Sequence, residues 1–258
     1  MGGRSTGGAA MSMQDNFARC IERIVHSRPA LNWRMRDVAP ETRETYHRVS
    51  PYTMTSPERI AAVCDAVRYV NRAGIAGAYV ECGVWRGGSS MAAALTLLEL
   101  GESERPLYLF DTFEGMSDPS EHDFRAEDSV SAARLLEKSK DADKIWCKAS
   151  IEDVTANMAS TGYPVDQIRL CKGMVEQTLP DQAPAKIAIL RLDTDWYEST
   201  RHELEHLYPR LAIGGVLIID DYGYWAGARK AVDEYFADLP IFLNRIDRTG
   251  RLVIKTSG

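Results

Sequence analysis

The sequence IAILRLDTD at residues 187–195 decides the fold, because a nearly continuous apolar run ends there in a pair of acids. A second run of this kind, GVLIIDD, occupies residues 215–221. Apolar runs without alternation indicate parallel strands that are covered on both faces. Residues 198–211 place leucines at helical spacing between the two runs, which predicts a helix. A right-handed crossover through this helix makes the two strands parallel.

Four carboxylates therefore fall at one edge of the predicted sheet: Asp193, Asp195, Asp220 and Asp221. In an open α/β sheet, ligands bind at the edge where the strands have their carboxyl ends. Carboxylates this close repel one another unless a cation lies between them, and a hard divalent ion bound through oxygen is the simplest partner. The alternative is that aspartates at strand ends cap the helices that follow. We expect the metal site.

The composition narrows the class of protein and of ligand. A chain of 258 residues with 45% hydrophobic and 26% charged residues can bury one large core. The net charge of −6 and the absence of a lysine or arginine run argue against nucleic acid or a membrane as partner. No apolar run approaches the roughly 18 residues that would span a bilayer. Five scattered cysteines without a C-x-x-C pair indicate buried thiols in a reducing cytoplasm.

The first predicted strand, at residues 78–83, runs into a glycine-containing turn and then into a helix that extends to Leu100. Glycines let the backbone approach a ligand closely, and the free N–H groups of the helix attract its polar or anionic part. The glycine spacing is not G-x-G-x-x-G, so an ordinary strand-to-helix turn stays open as an alternative. Glu81, just before the turn, would repel a pyrophosphate but suits an ammonium group.

Two more parallel strands are predicted at residues 107–111 and 167–172. Asp111 ends the first and could accept hydrogen bonds from ribose hydroxyls, although a loop or cap carboxylate is as common for a lone aspartate. The turn at Gly173 and Met174 follows the other strand, where it would meet an adenine. The terminal runs 241–246 and 251–255, joined by a turn that contains glycine, predict an antiparallel hairpin.

We expect three regions along the chain. Residues 1–10 are rich in glycine and serine and form a disordered tail, and residues 11–75 form an N-terminal helical extension. Its second helix starts at Pro57 after the N-cap Ser56. Residues 76–258 form the main domain, in which the polar insertion at about 112–148 is typical of an active-site lid.

Five motifs carry a resemblance to a known family: YTMTS at 52–56, VECGVWRGGS at 80–89, LFDTFEGM at 109–116, LDTDWY at 192–197 and IDDY at 219–222. In this order they resemble the macrocin O-methyltransferases of the TylF type. Five parallel strands followed by an antiparallel hairpin also resemble the class I methyltransferases, which have a Rossmann-like seven-stranded mixed sheet of the α/β class. The motifs span residues 50–225.

The resemblance implies transfer of a methyl group from S-adenosylmethionine to a sugar hydroxyl of an antibiotic glycoside, with magnesium. By position, Asp193, Asp220 and Asp221 match the family's metal ligands, and Asp195 matches the carboxylate proposed as general base. The residues expected to bind the cofactor are Met54, Glu81, Gly83, Ser89, Asp111, Gly173, Met174 and Asp193.

We therefore predict a cytoplasmic, homo-oligomeric, magnesium-dependent O-methyltransferase whose partner is a glycosylated small molecule carrying a deoxysugar. A catechol- or phenol-type O-methyltransferase shares the metal geometry and remains open, as does a non-catalytic module that binds a nucleotide or a metal. His202 and His206 have helical spacing but no adjoining acidic motif, so we interpret them as surface residues rather than zinc ligands. Aromatic residues flank the motifs. We expect their rings to pack against a sugar or an aglycone, and ordinary packing in the core or at its rim is the alternative.

Overall fold

The computed structural model describes residues 34–138 and 147–257 of the chain. The chain divides into two compact units, Met1–Val38 and Ala39–Gly258. Within the first, residues 34–38 include a turn in which the Val38 N–H donates to the Met35 carbonyl at 3.1 Å. The tail predicted at residues 1–10 and the helix predicted near residues 17–25 lie outside the described residues.

The second unit opens with two helices, α1 (Pro40–Val49) and α2 (Pro57–Arg72). The start of α2 is as predicted: Pro57 is its first residue, and the Ser56 hydroxyl accepts the Arg59 N–H at 3.2 Å. Both helices belong to the same compact unit as the sheet. The domain boundary predicted at residues 75–76 therefore falls inside this unit.

The sheet has seven strands: β1 (Ala78–Cys82), β2 (Leu107–Asp111), β3 (Ile168–Lys172), β4 (Ile187–Leu192), β5 (Leu211–Ile219), β6 (Asn244–Arg245) and β7 (Arg251–Ile254). Their order across the sheet is β3-β2-β1-β4-β5-β7-β6, with the first five parallel and β7 and β6 antiparallel. This confirms the predicted mixed sheet with its C-terminal hairpin. Every residue of β1 and of β4 is buried, as their apolar runs indicated.

The remaining helices are α3 (Gly88–Glu99), α4 (Ala132–Lys138), α5 (Ile151–Ala159), α6 (Val175–Thr178), α7 (Tyr197–Leu207) and α8 (Ala226–Tyr235). Short 3-10 turns occupy Ser50–Tyr52, Val165–Gln167 and Tyr208–Arg210. None of the helices in the described part of the chain is both long and apolar enough to pass through a lipid bilayer. Cys64, Cys82 and Cys171 are free and buried, as predicted for structural thiols.

The helix predicted over residues 198–211 ends four residues early, and the following strand starts four residues before the predicted residue 215. Pro209 explains both differences, because it lacks an N–H and therefore favours the 3-10 turn that closes α7. The C-terminal hairpin is also shorter than predicted, since only Asn244 and Arg245 of the run at 241–246 pair with β7.

The strand register brings the predicted site together. Cys82 at the end of β1 lies opposite Leu192 at the end of β4, and Leu192 lies opposite Ile219 at the end of β5. Backbone hydrogen bonds continue this alignment past the strands, from the Asp193 N–H to the Cys82 carbonyl and from the Asp220 N–H to the Leu192 carbonyl, both at 2.9 Å. The glycine turn and both acidic clusters thus share one edge of the sheet.

The first part of the predicted lid is attached to this edge. Arg125 forms an isolated β-bridge with Trp225, and the Ala226 N–H at the start of α8 donates to the Phe124 carbonyl at 2.9 Å. The buried Asp123 accepts the Tyr197 N–H at the start of α7, at 2.8 Å. Residues 139–146 of the predicted lid lie outside the described residues, and closure of the lid remains a prediction.

Candidate active site

Two adjoining cavities open at the carboxyl-end edge of the sheet. The first lies among the turns that follow β1, β2, β3 and β4, and the predicted cofactor residues that line it are Gly83, Asp111, Gly173, Met174 and Asp193. The second extends toward the turn before α2 and the end of β5, and the predicted residues that line it are Met54, Glu81, Ser89 and Asp193. Every residue predicted to bind the cofactor therefore lines one cavity or the other.

Gly83 makes the first cavity possible by bringing two strand-end turns into contact. Its φ is +80°, and a Cβ placed there would lie 2.0 Å from the Asp193 carbonyl oxygen and 3.1 Å from the Thr194 nitrogen. Any side chain would force the acidic turn away from the sheet. The requirement for glycine here is steric as well as conformational.

Three carboxylates converge where the two cavities meet. Oxygen atoms of Asp193, Asp195 and Asp221 all lie within 4.8 Å of one another. Asp221 Oδ2 is buried and, within the described residues, has no hydrogen-bond partner. Hard divalent cations prefer oxygen donors of this kind, so the side chains that are present fit such an ion.

The electrostatics of this acid cluster favour a cation. Burial raises the pKa of the Asp195 carboxyl to about 7, and the charge of Asp193 adds to the shift. Burial, followed by the charges of Asp195 and Asp220, raises the pKa of Asp221. Burial also raises the pKa of Asp193, although Arg191 opposes the shift. A positive ion between these groups would relieve both the burial cost and the repulsion.

Asp220 departs from the predicted arrangement. Its Oδ1 accepts a hydrogen bond from Arg191 Nη2 at 2.6 Å, and its Oδ2 accepts one from Arg59 Nη1 and another from the Thr55 hydroxyl at 3.5 Å. Two guanidinium groups thus engage the carboxylate that was predicted to be the third metal ligand. Asp195 takes its place in the converging group.

Arg191 is the central cation of the site, and sequence reasoning did not assign it a role. Only 1% of its side chain is exposed, and it forms ion pairs with Glu81 at 2.7 Å, Asp193 at 2.8 Å and Asp220 at 2.6 Å. The signal that could have revealed it is a single charged residue within the apolar run of β4. Arg59 was missed as well, because its partner Asp220 is 161 positions away in the chain.

The carboxylate of Glu81 is held by hydrogen bonds from other side chains of the protein. Its carboxylate accepts hydrogen bonds from Arg191 Nη1 at 2.7 Å, from the Tyr79 hydroxyl at 2.9 Å and from the Ser90 hydroxyl. Burial raises its pKa, and the charge of Arg191 opposes that shift. Its contact with an ammonium group remains a prediction, and the structure adds that Glu81 joins β1 to β4.

Asp111 joins the end of β2 to the glycine turn. Its Oδ2 accepts the N–H groups of Val84 at 2.7 Å and Trp85 at 2.9 Å, and its Oδ1 accepts the N–H of Phe113 at 2.7 Å. The Thr112 hydroxyl donates a fourth, longer hydrogen bond to Oδ1 at 3.4 Å, which fills the roughly four acceptor positions of a carboxylate. The predicted contact with ribose stays a prediction.

Asp195, the predicted general base, lies on the wall that the two cavities share. It adopts a left-handed backbone conformation with φ +69°. Its Oδ1 accepts the indole N–H of Trp225 at 2.9 Å, and Trp196 packs edge-on against Trp225 with ring centroids 5.0 Å apart. Of the aromatic residues that flank the motifs, Trp85, Tyr224 and Trp225 line the second cavity.

Comparison with known proteins adds three relatives from antibiotic producers. A 4'-O-methyltransferase of Streptomyces olivaceus, named for 8-demethyl-8-(2,3-dimethoxy-alpha-L-rhamnosyl)-tetracenomycin-C, is 36% identical over 77% of this chain and 74% of its own. Demethyldecarbamoylnovobiocin O-methyltransferase of Streptomyces niveus is 32% identical over 77% and 74%. Mycinamicin III 3''-O-methyltransferase of Micromonospora griseorubida is 33% identical over 76% and 74%.

Solved structures of methyltransferases also match this chain. The O-methyltransferase NovP matches with a TM-score of 0.70 and 31% identity over 80% of this chain and 83% of its own. The calicheamicin methyltransferase CalS11 has a TM-score of 0.57 and 18% identity, which supports the fold alone. The sequence profile of the macrocin O-methyltransferases (TylF) matches residues 8–254. The resemblance inferred from five motifs is thus confirmed, and the chain is a methyltransferase that belongs to the macrocin O-methyltransferase (TylF) family.

Proposed function

We propose that the protein transfers the methyl group of S-adenosylmethionine to a sugar hydroxyl of a glycosylated natural product, with the help of a divalent cation such as Mg²⁺. The observation that carries this proposal is the acid cluster of Asp193, Asp195 and Asp221, in which Asp193 and Asp195 line both cavities and Asp221 lines the second. The first cavity would hold the methyl donor and the second the acceptor. Two of the three relatives support the acceptor class, since their names include a sugar or glycoside position.

The second cavity suits a sugar because it combines carboxylates with aromatic rings. Trp85, Tyr224 and Trp225 line it beside Asp195 and Asp221. Aromatic faces pack against the apolar face of a sugar ring, and carboxylates accept hydrogen bonds from its hydroxyl groups. Met54, which is 53% exposed, contributes a flexible apolar side chain at the mouth of this cavity.

A sugar hydroxyl is a weak nucleophile, and this defines what the site must supply. Ionising a hydroxyl whose pKa is about 15.7 costs roughly 12 kcal/mol at pH 7, so one carboxylate cannot carry the reaction alone. The acid cluster would hold a divalent cation, which would supply Lewis-acid stabilisation of the charge that develops on the acceptor oxygen. Asp195 accepts the hydroxyl proton as the general base.

Asp193 and Asp221 are proposed as metal ligands, and both the motif match and the convergence of their carboxylates support this. For the third ligand the sequence favours Asp220, whereas the geometry brings Asp195 into the cluster and turns Asp220 toward Arg59 and Arg191. Calorimetric Mg²⁺ titrations of Asp220→Asn and Asp195→Asn distinguish these two. The variant that loses affinity identifies the third ligand.

A panel assay tests the acceptor class. The enzyme is incubated with S-adenosylmethionine, Mg²⁺ and matched pairs of deoxysugar glycosides and their aglycones, and mass spectrometry detects a gain of one methyl group. We expect methylation of glycosides and none of the aglycones, with loss of activity after chelation by EDTA and recovery with Mg²⁺. Methylation of catechols instead would reassign the acceptor, and cofactor binding without turnover would indicate a binding module. We also propose that the protein is cytoplasmic and forms homo-oligomers. Light scattering measures the oligomeric state.

A further inference from the structure

Glu203 is a buried acid that the proposed reaction does not use. It lies on α7, and its relative exposure is 0%. Within the described residues no lysine, arginine or histidine forms an ion pair with it, and its Oε1 has no hydrogen-bond partner. An uncompensated carboxylate in such a place is costly, so a group of this kind is retained as the uncharged acid.

The Glu203 side chain forms a hydrogen bond to the acidic turn of the active site and also contacts the Cys82 thiol. The Thr194 hydroxyl lies 3.2 Å from Glu203 Oε2. Burial raises the pKa of Glu203 well above its ordinary value, and the nearby charges of Glu176 and Asp193 oppose ionisation further. The uncharged acid therefore packs beneath Thr194 without adding negative charge to a site that already has an excess of it.

The turn that contains Thr194 requires such support. Its neighbour Asp195 adopts φ +69°, which is unfavourable for a residue with a Cβ atom. The backbone on either side is fixed by hydrogen bonds from the Asp193 N–H to the Cys82 carbonyl at 2.9 Å and from the Trp196 N–H to the Thr194 carbonyl at 2.8 Å. Between these two bonds, the contact with Glu203 anchors the side chain at the centre of the turn.

We propose that Glu203 is a positioning residue that holds the turn 193–195 through Thr194 and so places the acids on both sides of it. This rests on the proposed function insofar as Asp193 and Asp195 carry the chemistry. The hydrogen bond itself is independent of acceptor identity. An uncharged side chain of the same shape should replace Glu203, whereas a shortened one should not.

The experiment compares Glu203→Gln, Glu203→Ala and Thr194→Val with the wild-type protein, and Glu205→Ala serves as control because Glu205 lies on the exposed face of the same helix. Hydrogen–deuterium exchange is measured for the amides of residues 192–197. We expect exchange about tenfold faster in Glu203→Ala and Thr194→Val, and unchanged rates in Glu203→Gln and in the control. With an acceptor from the panel, kcat should fall about tenfold in the same two variants while the Kd for S-adenosylhomocysteine stays within threefold.

Wild-type exchange in Glu203→Ala would overturn the proposal, and so would a Glu203→Gln variant as impaired as Glu203→Ala, since that result would require the charged form. If Glu203→Ala does not fold, Thr194→Val decides alone, because it removes the hydroxyl and leaves Glu203 in place. Failure of the proposed function has a different signature. In that case no glycoside of the panel is methylated by the wild-type protein, and the exchange comparison still stands.

Discussion

At the scale of single residues, Arg191 determines the charge balance of the site. One guanidinium faces the carboxylates of Glu81, Asp193 and Asp220, and all four groups lie at the end of buried strands. Removing one member of a buried ionic network leaves the others without compensation, which is more damaging than the loss of a surface ion pair. Arg191 thus holds the three acids in place, and its charge opposes the rise in pKa that burial causes at Glu81 and Asp193.

We expect Arg191→Met to lower the free energy of unfolding by about 3–5 kcal/mol, because methionine fills similar space but removes the cation that Glu81, Asp193 and Asp220 share, although Asp220 keeps its ion pair with Arg59. Urea unfolding followed by circular dichroism measures the change. Arg201→Met is the matched control, since Arg201 is 50% exposed and pairs with Glu205 on the surface of α7. A variant at residue 191 as stable as this control would show that the network does not stabilise the fold.

The acids that follow β4 differ in their expected roles. Asp193→Ala should abolish or greatly weaken Mg²⁺ binding, because it removes an anionic ligand. Asp195→Asn should mainly lower kcat, by about 10²–10⁴-fold, which is the usual contribution of a general base. Metal titration and steady-state kinetics measure the two effects. Near-normal turnover of Asp195→Asn at saturating Mg²⁺ and acceptor would show that Asp195 is not the general base.

At the scale of elements, a group of contacts fastens α2 to the turn between β6 and β7. Asp247 accepts hydrogen bonds from the Ser56 hydroxyl at 2.5 Å, from Arg59 Nε at 3.1 Å and from the Gly250 N–H at 2.7 Å. Arg59 also forms an ion pair with Asp220 at the active site. The residues before α2 line the second cavity, so this clasp of Ser56, Arg59 and Asp247 also holds part of the acceptor side.

The clasp should make stability depend on pH. Burial alone would raise the pKa of Asp247, but the bond from Ser56 and the charge of Arg59 outweigh it and lower the pKa to about 2. Because the folded pKa is depressed, the stabilisation is complete above the ordinary value near 3.8 and is lost as the pH falls through 2. We expect the free energy of unfolding of the wild type to exceed that of Asp247→Asn by about 2 kcal/mol at pH 7 and by roughly half of that at pH 3. A stability difference that is constant from pH 7 to pH 3 would contradict this.

The elements show what sequence can and cannot predict. The five parallel strands were predictable because each is a short apolar run bounded by glycine, proline or acids. The end of α7 was missed because the leucine spacing continues to Leu211, although Pro209 marks in the sequence where the helix stops. The direction in which the Asp220 side chain points could not be predicted. It depends on Arg59 and Arg191, which the fold brings to it from other elements.

At the scale of the whole molecule, the order of strands leaves one edge where two cavities meet and four side chains serve both: Trp85, Met116, Asp193 and Asp195. The first cavity, which we propose as the donor cavity, is formed by turns of the sheet. The second, proposed as the acceptor cavity, instead draws on the turn before α2 and on residues after β5.

This architecture predicts which cofactor stabilises the protein. S-adenosylhomocysteine should raise the thermal midpoint, because a ligand at 100 times its Kd adds about 2.7 kcal/mol to the free energy of unfolding. NAD should cause no shift, since Glu81 disfavours a pyrophosphate at the glycine turn. Differential scanning fluorimetry compares the two ligands at equal concentration. Stabilisation by NAD without stabilisation by S-adenosylhomocysteine would refute this assignment.

The small overlap between the two cavities has a consequence for how the protein evolves. Tyr52 and Tyr224 line the acceptor cavity and do not line the donor cavity. Selection can therefore change these two positions to admit a new acceptor while the donor cavity stays as it is. The four shared side chains have no such freedom, because a substitution there alters both cavities at once. Among the described residues, diversification of this enzyme toward new substrates should begin at the turn before α2 and after β5.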